Sequence, residues 1–121
     1  MIKQKSIEEL EDLCLDLLST TFIELGQHNI DGETKFMIAQ SLARDVKKIY
    51  KNFYFLDVEN AFKLGVRSPY NGNFIHINVP TYMRWLREHQ ELIWDARSKV
   101  ENGEDPKLVP YFRPEPKLLK L

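Results

Sequence analysis

The sequence predicts an all-α protein. It reads as a small bundle of about four helices, with a short hairpin-like turn before the last long helix and an extended, proline-rich C-terminal tail. Three observations carry this. Apolar residues recur at three- and four-residue steps through most of the chain before the tail, which is the pattern of helices that each bury one face. Capping residues or proline open these runs, and Gly or Asn-Gly closes most of them. The last stretch, DPKLVPYFRPEPKLLKL, holds four prolines and cannot continue as regular helix.

The first helix starts at Ser6, where S-x-x-E (Ser6 to Glu9) is a capping box that satisfies free amide donors. Ile7, Leu10, Cys14, Leu17, Leu18, Thr21 and Leu25 form its apolar face, and Gly26 suits the left-handed position that ends it. Glu8, Glu9, Glu11, Asp12 and Asp16 crowd its first half, where the positive end of the helix dipole favours them. They read as a solvated face rather than a metal site, because Mg2+ or Ca2+ needs ligands converging from a shaped loop.

Asp31 caps the second helix, expected to run to about Asn52, with Ala39, Leu42, Ala43, Val46, Ile49, Tyr50 and Phe53 facing inward. Arg44, Lys47, Lys48 and Lys51 form a basic stripe near its end. The connection Gln27 to Ile30 is short, so the two helices pack antiparallel and the basic end lies beside the acidic start. Residues 1–31 carry two basic and seven acidic side chains, and residues 32–56 carry five and two, so the charges read first as answering each other.

Asp57 is read as the cap of a two-turn helix that faces Val58, Ala61, Phe62 and Leu64 inward and stops at Gly65 in a positive-φ conformation. Asn71-Gly72 fits a tight turn flanked by Tyr70 and Phe74, with Pro69 keeping any pairing short and Ile75 and Ile77 anchoring it. The longest helix begins after Val79, with Pro80 at its first position and Asn78 or Thr81 as cap. Tyr82, Trp85, Leu86, His89, Leu92, Ile93, Ala96 and Val100 line its apolar side until Asn102-Gly103. Trp85 and Trp94 are nine positions apart and so lie on roughly opposite sides. Trp85 is expected in the core and Trp94, near Arg87, Glu91 and Arg97, on the surface.

At 121 residues the chain fits one helical domain, residues 1–104, followed by the tail, 105–121. A hydrophobic fraction of 43% and a charged fraction of 29% argue against a chain disordered throughout. A net charge of -1 and a pI near 6.3 remove the broad basic field expected of a protein built to neutralise phosphates. A lone cysteine, Cys14, and an N-terminus without a long apolar run point to a reduced, cytoplasmic protein that does not span a membrane. His28, His76, His89 and Cys14 occur singly, without ligand spacing, and no nucleophile elbow or phosphate-cradling glycine loop appears. No metal, cofactor or enzymatic activity is therefore expected.

In the tail, Leu108, Val109, Tyr111, Phe112, Leu118, Leu119 and Leu121 are apolar, and Lys107, Arg113, Lys117 and Lys120 outnumber Glu115. Such a segment needs a surface to lie on: its own domain, a twin subunit in a homodimer, or a foreign protein. The run from Val58 to His89 is similar to a pattern in small uncharacterised proteins of phages and conjugative elements. There a helix ending in A-F-x-x-G is followed by a glycine-containing turn and a tryptophan-containing helix. Ala61, Phe62, Gly65, Gly72, Trp85 and Leu86 carry the resemblance, and Ser68-Pro69 departs from it. It implies a helicase-loader-like or replisome-accessory role in DNA replication.

The expected function is thus a non-enzymatic protein–protein interaction module of a phage or mobile element, with a replication protein as partner. Its contact residues are Trp94, Arg87, Tyr111, Phe112, Arg113, Leu118 and Leu119. The alternative is a small nucleic-acid-binding regulator using Arg44, Lys47, Lys48, Lys51, Arg67 and Arg84.

Overall fold

A computed structural model describes residues 1–68 and 76–113. Its α-helices are α1 (Ile7–Glu24), α2 (Gly32–Ile49), α3 (Phe55–Val66) and α4 (Val79–Glu101), with 3-10 turns at Ile2–Gln4 and Pro106–Leu108. No strand occurs among the described residues, so the fold is all-α. Two compact units divide the chain, Met1–Leu86 and Arg87–Leu121.

In the first unit α1 packs on α2 and on α3. Ser6 Oγ accepts from Glu9 N–H at 3.1 Å, and Asp31 Oδ1 accepts from Thr34 N–H at 2.6 Å, so both expected caps form. The Thr34 amide holds the Asp31 carboxyl below its usual range. Gly26 takes φ 74, and the amides of Gly26 and Gln27 return to the carbonyls of Ile23 and Phe22, closing α1. Lys47, near the end of α2, donates from Nζ to the Lys5 carbonyl just before α1, which fixes the antiparallel arrangement. Its charge thus meets a backbone carbonyl, not a carboxylate.

Several boundaries differ from the sequence reading. α2 ends at Ile49 rather than Asn52, because Tyr50 leaves helical dihedrals at φ -113, ψ 38. Tyr50 and Phe53 then turn inward with ring centroids 4.8 Å apart. This connection receives the N-terminus: Ile2 N–H bonds Phe53 O at 2.7 Å and Lys3 N–H bonds Lys51 O at 3.0 Å, with Ile2 fully buried. α3 begins at Phe55, two residues before Asp57. Asp57 is not the cap but sits in the first turn, reaching back to accept from Tyr54 N–H at 2.8 Å. Leu64 is half-buried.

Gly65 is the larger correction. It lies inside α3 rather than after it, and it is not among the glycines with positive φ. A Cβ at Gly65 would fall 2.3 to 2.5 Å from the Cδ2, Cγ and Cδ1 atoms of Trp85. The missing side chain makes room for the indole, and backbone freedom has no part in it. Phe62, three positions earlier, meets the same indole edge-on at 5.2 Å.

α4 begins at Val79, with Asn78 Oδ1 accepting from Thr81 N–H at 3.0 Å. It is the longest described helix, and Gly103 at φ 100 closes it. Ile77, Tyr82, Trp85 and Leu86 are buried. Leu92, read as part of the apolar face, is instead exposed. In the second unit His89, Ile93, Ala96 and Val109 are buried, and Tyr111, at φ 64, meets His89 edge-on at 5.3 Å. The expected turn at Tyr70 to Phe74, and Leu118 and Leu119 of the tail, lie outside the described residues. No described helix is long and apolar enough to cross a membrane.

Trp85→Ala should cost ~3 to 5 kcal/mol, as expected for emptying a core aromatic site, whereas Trp94→Ala should shift stability by ~0.5 kcal/mol or less. Chemical denaturation of both variants checks this; equal losses would contradict the burial pattern.

Candidate functional site

The described interaction candidates gather on the second unit. Trp94 is 57% exposed, although the neighbouring His89, Ile93 and Ala96 are buried. An α-helix turns 100° per residue, so Trp94 projects from the side of α4 opposite those three, and Arg87, seven positions earlier, shares its side. Arg87 is exposed, Tyr111 is 41% exposed, and Phe112 and Arg113 are half-buried. The tail through Phe112 is thus partly used: Val109 is buried, while Leu108 remains exposed. An exposed tryptophan beside an arginine is the composition of an interface anchor, because a rigid indole buries much area with little entropy loss.

The basic candidates belong to the first unit. Arg44 and Lys48 are exposed on one side of α2, and Lys51 is exposed just beyond its end. Lys47 is spent on the Lys5 carbonyl. Arg67 is also engaged, pairing with Glu24 and donating to the Lys63 carbonyl at 2.9 Å. Arg84 is half-buried. The structure therefore leaves three of the six as a continuous exposed set.

A cleft of about 460 Å³ opens between α1 and α3, floored by Leu17 and Phe62 and rimmed by Glu24, Glu59, Lys63 and Arg67. Its two threonine hydroxyls are committed to the helix backbone: Thr20 Oγ1 to Asp16 O at 3.2 Å and Thr21 Oγ1 to Leu17 O at 2.8 Å. Neither is set against a base. Acid and base on the rim neutralise each other through the Arg67–Glu24 pair. Among the described residues no group of three or more His, Cys, Asp or Glu could hold a metal ion. Cys14 is fully buried, and burial, with Glu11 nearby, pushes its thiol up to about 12, which keeps it protonated and unreactive at neutral pH.

Sequence reasoning missed one polar cluster. Tyr82, on the buried side of α4, donates its hydroxyl proton to Asp45, and Ser41 Oγ lies 2.8 Å from the same oxygen. Since the Tyr82 proton goes to the carboxylate, Ser41 is the donor to Tyr82. Desolvation first, and the Asp45 hydrogen bond second, raise Tyr82 to about 12. The cluster ties the first turns of α4 to α2. The placement of a tyrosine within an apolar stripe was its only signal, since Ser41 and Asp45 are 41 and 37 positions away.

No protein-family model matches the chain, and no curated protein and no solved structure is significantly similar to it.

Folded Tyr82 keeps its proton to about 12, while the unfolded chain releases it near 10. The native state therefore binds more protons between these values, and stability contributed by Tyr82 is complete below pH 10 and lost as pH rises toward 12. Melting temperatures at neutral pH and at about pH 11 should fall further in the wild type than in Tyr82→Phe. A parallel fall would show that Tyr82 does not contribute.

Proposed function

We propose that this protein is a non-enzymatic protein–protein interaction module whose contact surface lies on the second unit. Trp94 is its anchor, with Arg87 on the same side of α4; the tail residues Tyr111, Phe112 and Arg113 make a second patch of the same unit, Tyr111 lying against His89 on the other side of the helix. The observation that carries the reading is the 57% exposure of Trp94, the largest side chain of that unit, on a helix that buries His89, Ile93 and Ala96 on its other side. Leaving an indole in water forgoes a burial worth on the order of 2 kcal/mol or more, and a docking partner recovers it. The resemblance of residues 58–89 to small phage and conjugative-element proteins supports a replication protein, helicase-loader-like in its context, as the partner class. The cytoplasm of the host is then where the two meet.

The nucleic-acid reading is weaker. Its exposed set is Arg44, Lys48 and Lys51, a small phosphate footprint on a chain of net charge -1. A regulator of that kind would draw little electrostatic affinity from it.

Affinity capture from the native cell with wild type and with Trp94→Ala, run in parallel and identified by mass spectrometry, tests the proposal. A replication protein retained by the wild type and lost by at least tenfold with Trp94→Ala, whose melting is unchanged, is the expected result. That loss corresponds to about 1.4 kcal/mol of binding. Identical recovery by both would remove Trp94 from the interface and with it the reading.

A further inference from the structure

The outward faces of α1 and α2 carry opposite charges in matching spacing. On α1, Asp16, Asp12 and Glu9 lie seven, eleven and fourteen positions before Ile23; all four are exposed. On α2, Arg44 and Lys48, with Lys51 just past its end, lie seven, eleven and fourteen positions after Met37; these four are exposed as well. Steps of seven, four and three keep residues on one side of an α-helix, which places all four residues on α1 and Met37, Arg44 and Lys48 on α2; Lys51 follows the last turn of α2 and adds charge near the end of that row. Ile23 and Met37, 64% and 61% exposed, each continue their charged row as a lone apolar side chain. Neither is used by the core.

Laid antiparallel, the two faces meet as Ile23 on Met37, Asp16 on Arg44 and Asp12 on Lys48, with Glu9 reaching the end of α2 where Lys51 is exposed. In this register no like charges oppose: Glu33 comes level with Gln27 and Asp45 with Leu15. The two helices of one chain do not stand in that register. Lys47 bonds the Lys5 carbonyl and Lys3 bonds the Lys51 carbonyl, whereas the matched register would set Lys47 level with Leu13 and Lys51 with Glu9. The displacement is six to eight residues, roughly 9 to 12 Å of helix rise. Both rows face away from the in-chain packing of α1 on α2, so their complement is external.

We propose that the occupant is a second copy of this chain, with α1 of one copy lying along α2 of the next. Glu9 already pairs with Lys5 at 3.3 Å, an exposed contact of small worth that leaves carboxylate acceptor sites open. A two-fold axis along the helices would impose the in-chain register on the contact, so the displaced register makes the association head-to-tail. Each added copy leaves one α1 face and one α2 face open. The contact has few apolar residues and small area, which makes it weak, concentration-dependent and salt-sensitive. This surface is on the first unit and is independent of Trp94.

Sedimentation velocity on the full chain at about 0.05 M and about 0.5 M salt tests it, with two charge-reversed variants: Asp12→Lys with Asp16→Arg, and Arg44→Glu with Lys48→Glu. The wild type should form species larger than a dimer as concentration rises at low salt and should revert to monomer at high salt. Each variant alone should stay monomeric in low salt, and an equimolar mixture should regain association, because each then offers the face the other lacks. All substitutions are at exposed positions, and unchanged melting confirms the fold. A wild type monomeric at low salt, a dimer that grows no further, or a mixture no larger than its components would overturn the proposal.

Discussion

The contact on which the first unit depends is the indole of Trp85 lying against the bare backbone of Gly65. Glycine inside a helix costs about 1 kcal/mol relative to alanine, so its place in the last turn of α3 needs a return. The return is close approach: the largest side chain in the protein occupies the space a Cβ would take, and Phe62 closes on it from one turn away. Trp85 is used for its surface, since its Nε1 is buried and finds no hydrogen-bond acceptor among the described residues. That cost is accepted because the burial of the ring is worth more.

Once Trp85 is seated, the neighbouring turn of α4 is placed. Tyr82, three positions earlier, then reaches Asp45 and Ser41, so one short segment holds α3 through an apolar contact and α2 through a polar one. α1 is held independently by α2 and α3, and the N-terminal turn is pinned to the α2–α3 connection by two backbone hydrogen bonds. With the core satisfied in this way, the surface is free to be specialised. The first unit shows segregated charge on its two outward helix faces, and the second shows an unburied tryptophan. The two surfaces suit different occupants: matched charge in a fixed register suits a twin chain, and a lone indole suits a preformed apolar pocket.

Local features were legible in the sequence because their causes are local. Ser6, Asp31, Asn78, Gly26 and Gly103 act on amides or dihedrals within four residues, and each does what its type dictates. The opposite fates of Trp85 and Trp94 followed from helical period, which separates them, and from their neighbours, an apolar stripe around Trp85 and charged residues near Trp94. What escaped depends on residues far apart in the chain. Gly65 looks like a helix stop because glycine often is one; only Trp85, twenty positions on, reveals it as a packing site. The end of α2 carries no glycine or proline to mark it, being set by Tyr50 and Phe53 turning inward. Arg67 looked like a free cation until Glu24, brought near by the packing of α3 on α1, claimed it.

The most direct measurement is a double-mutant cycle at Gly65 and Trp85, read by equilibrium denaturation. Gly65→Ala should destabilise the wild type by ~1 to 3 kcal/mol through overpacking, even though alanine is the better helix former by about 1 kcal/mol. In a Trp85→Leu background, where the ring is gone, the same substitution should become neutral or stabilising, a coupling well above the few tenths expected of independent sites. Equal cost in both backgrounds would mean that Gly65 is required for some reason other than the indole, and the account of how α4 is seated would fail.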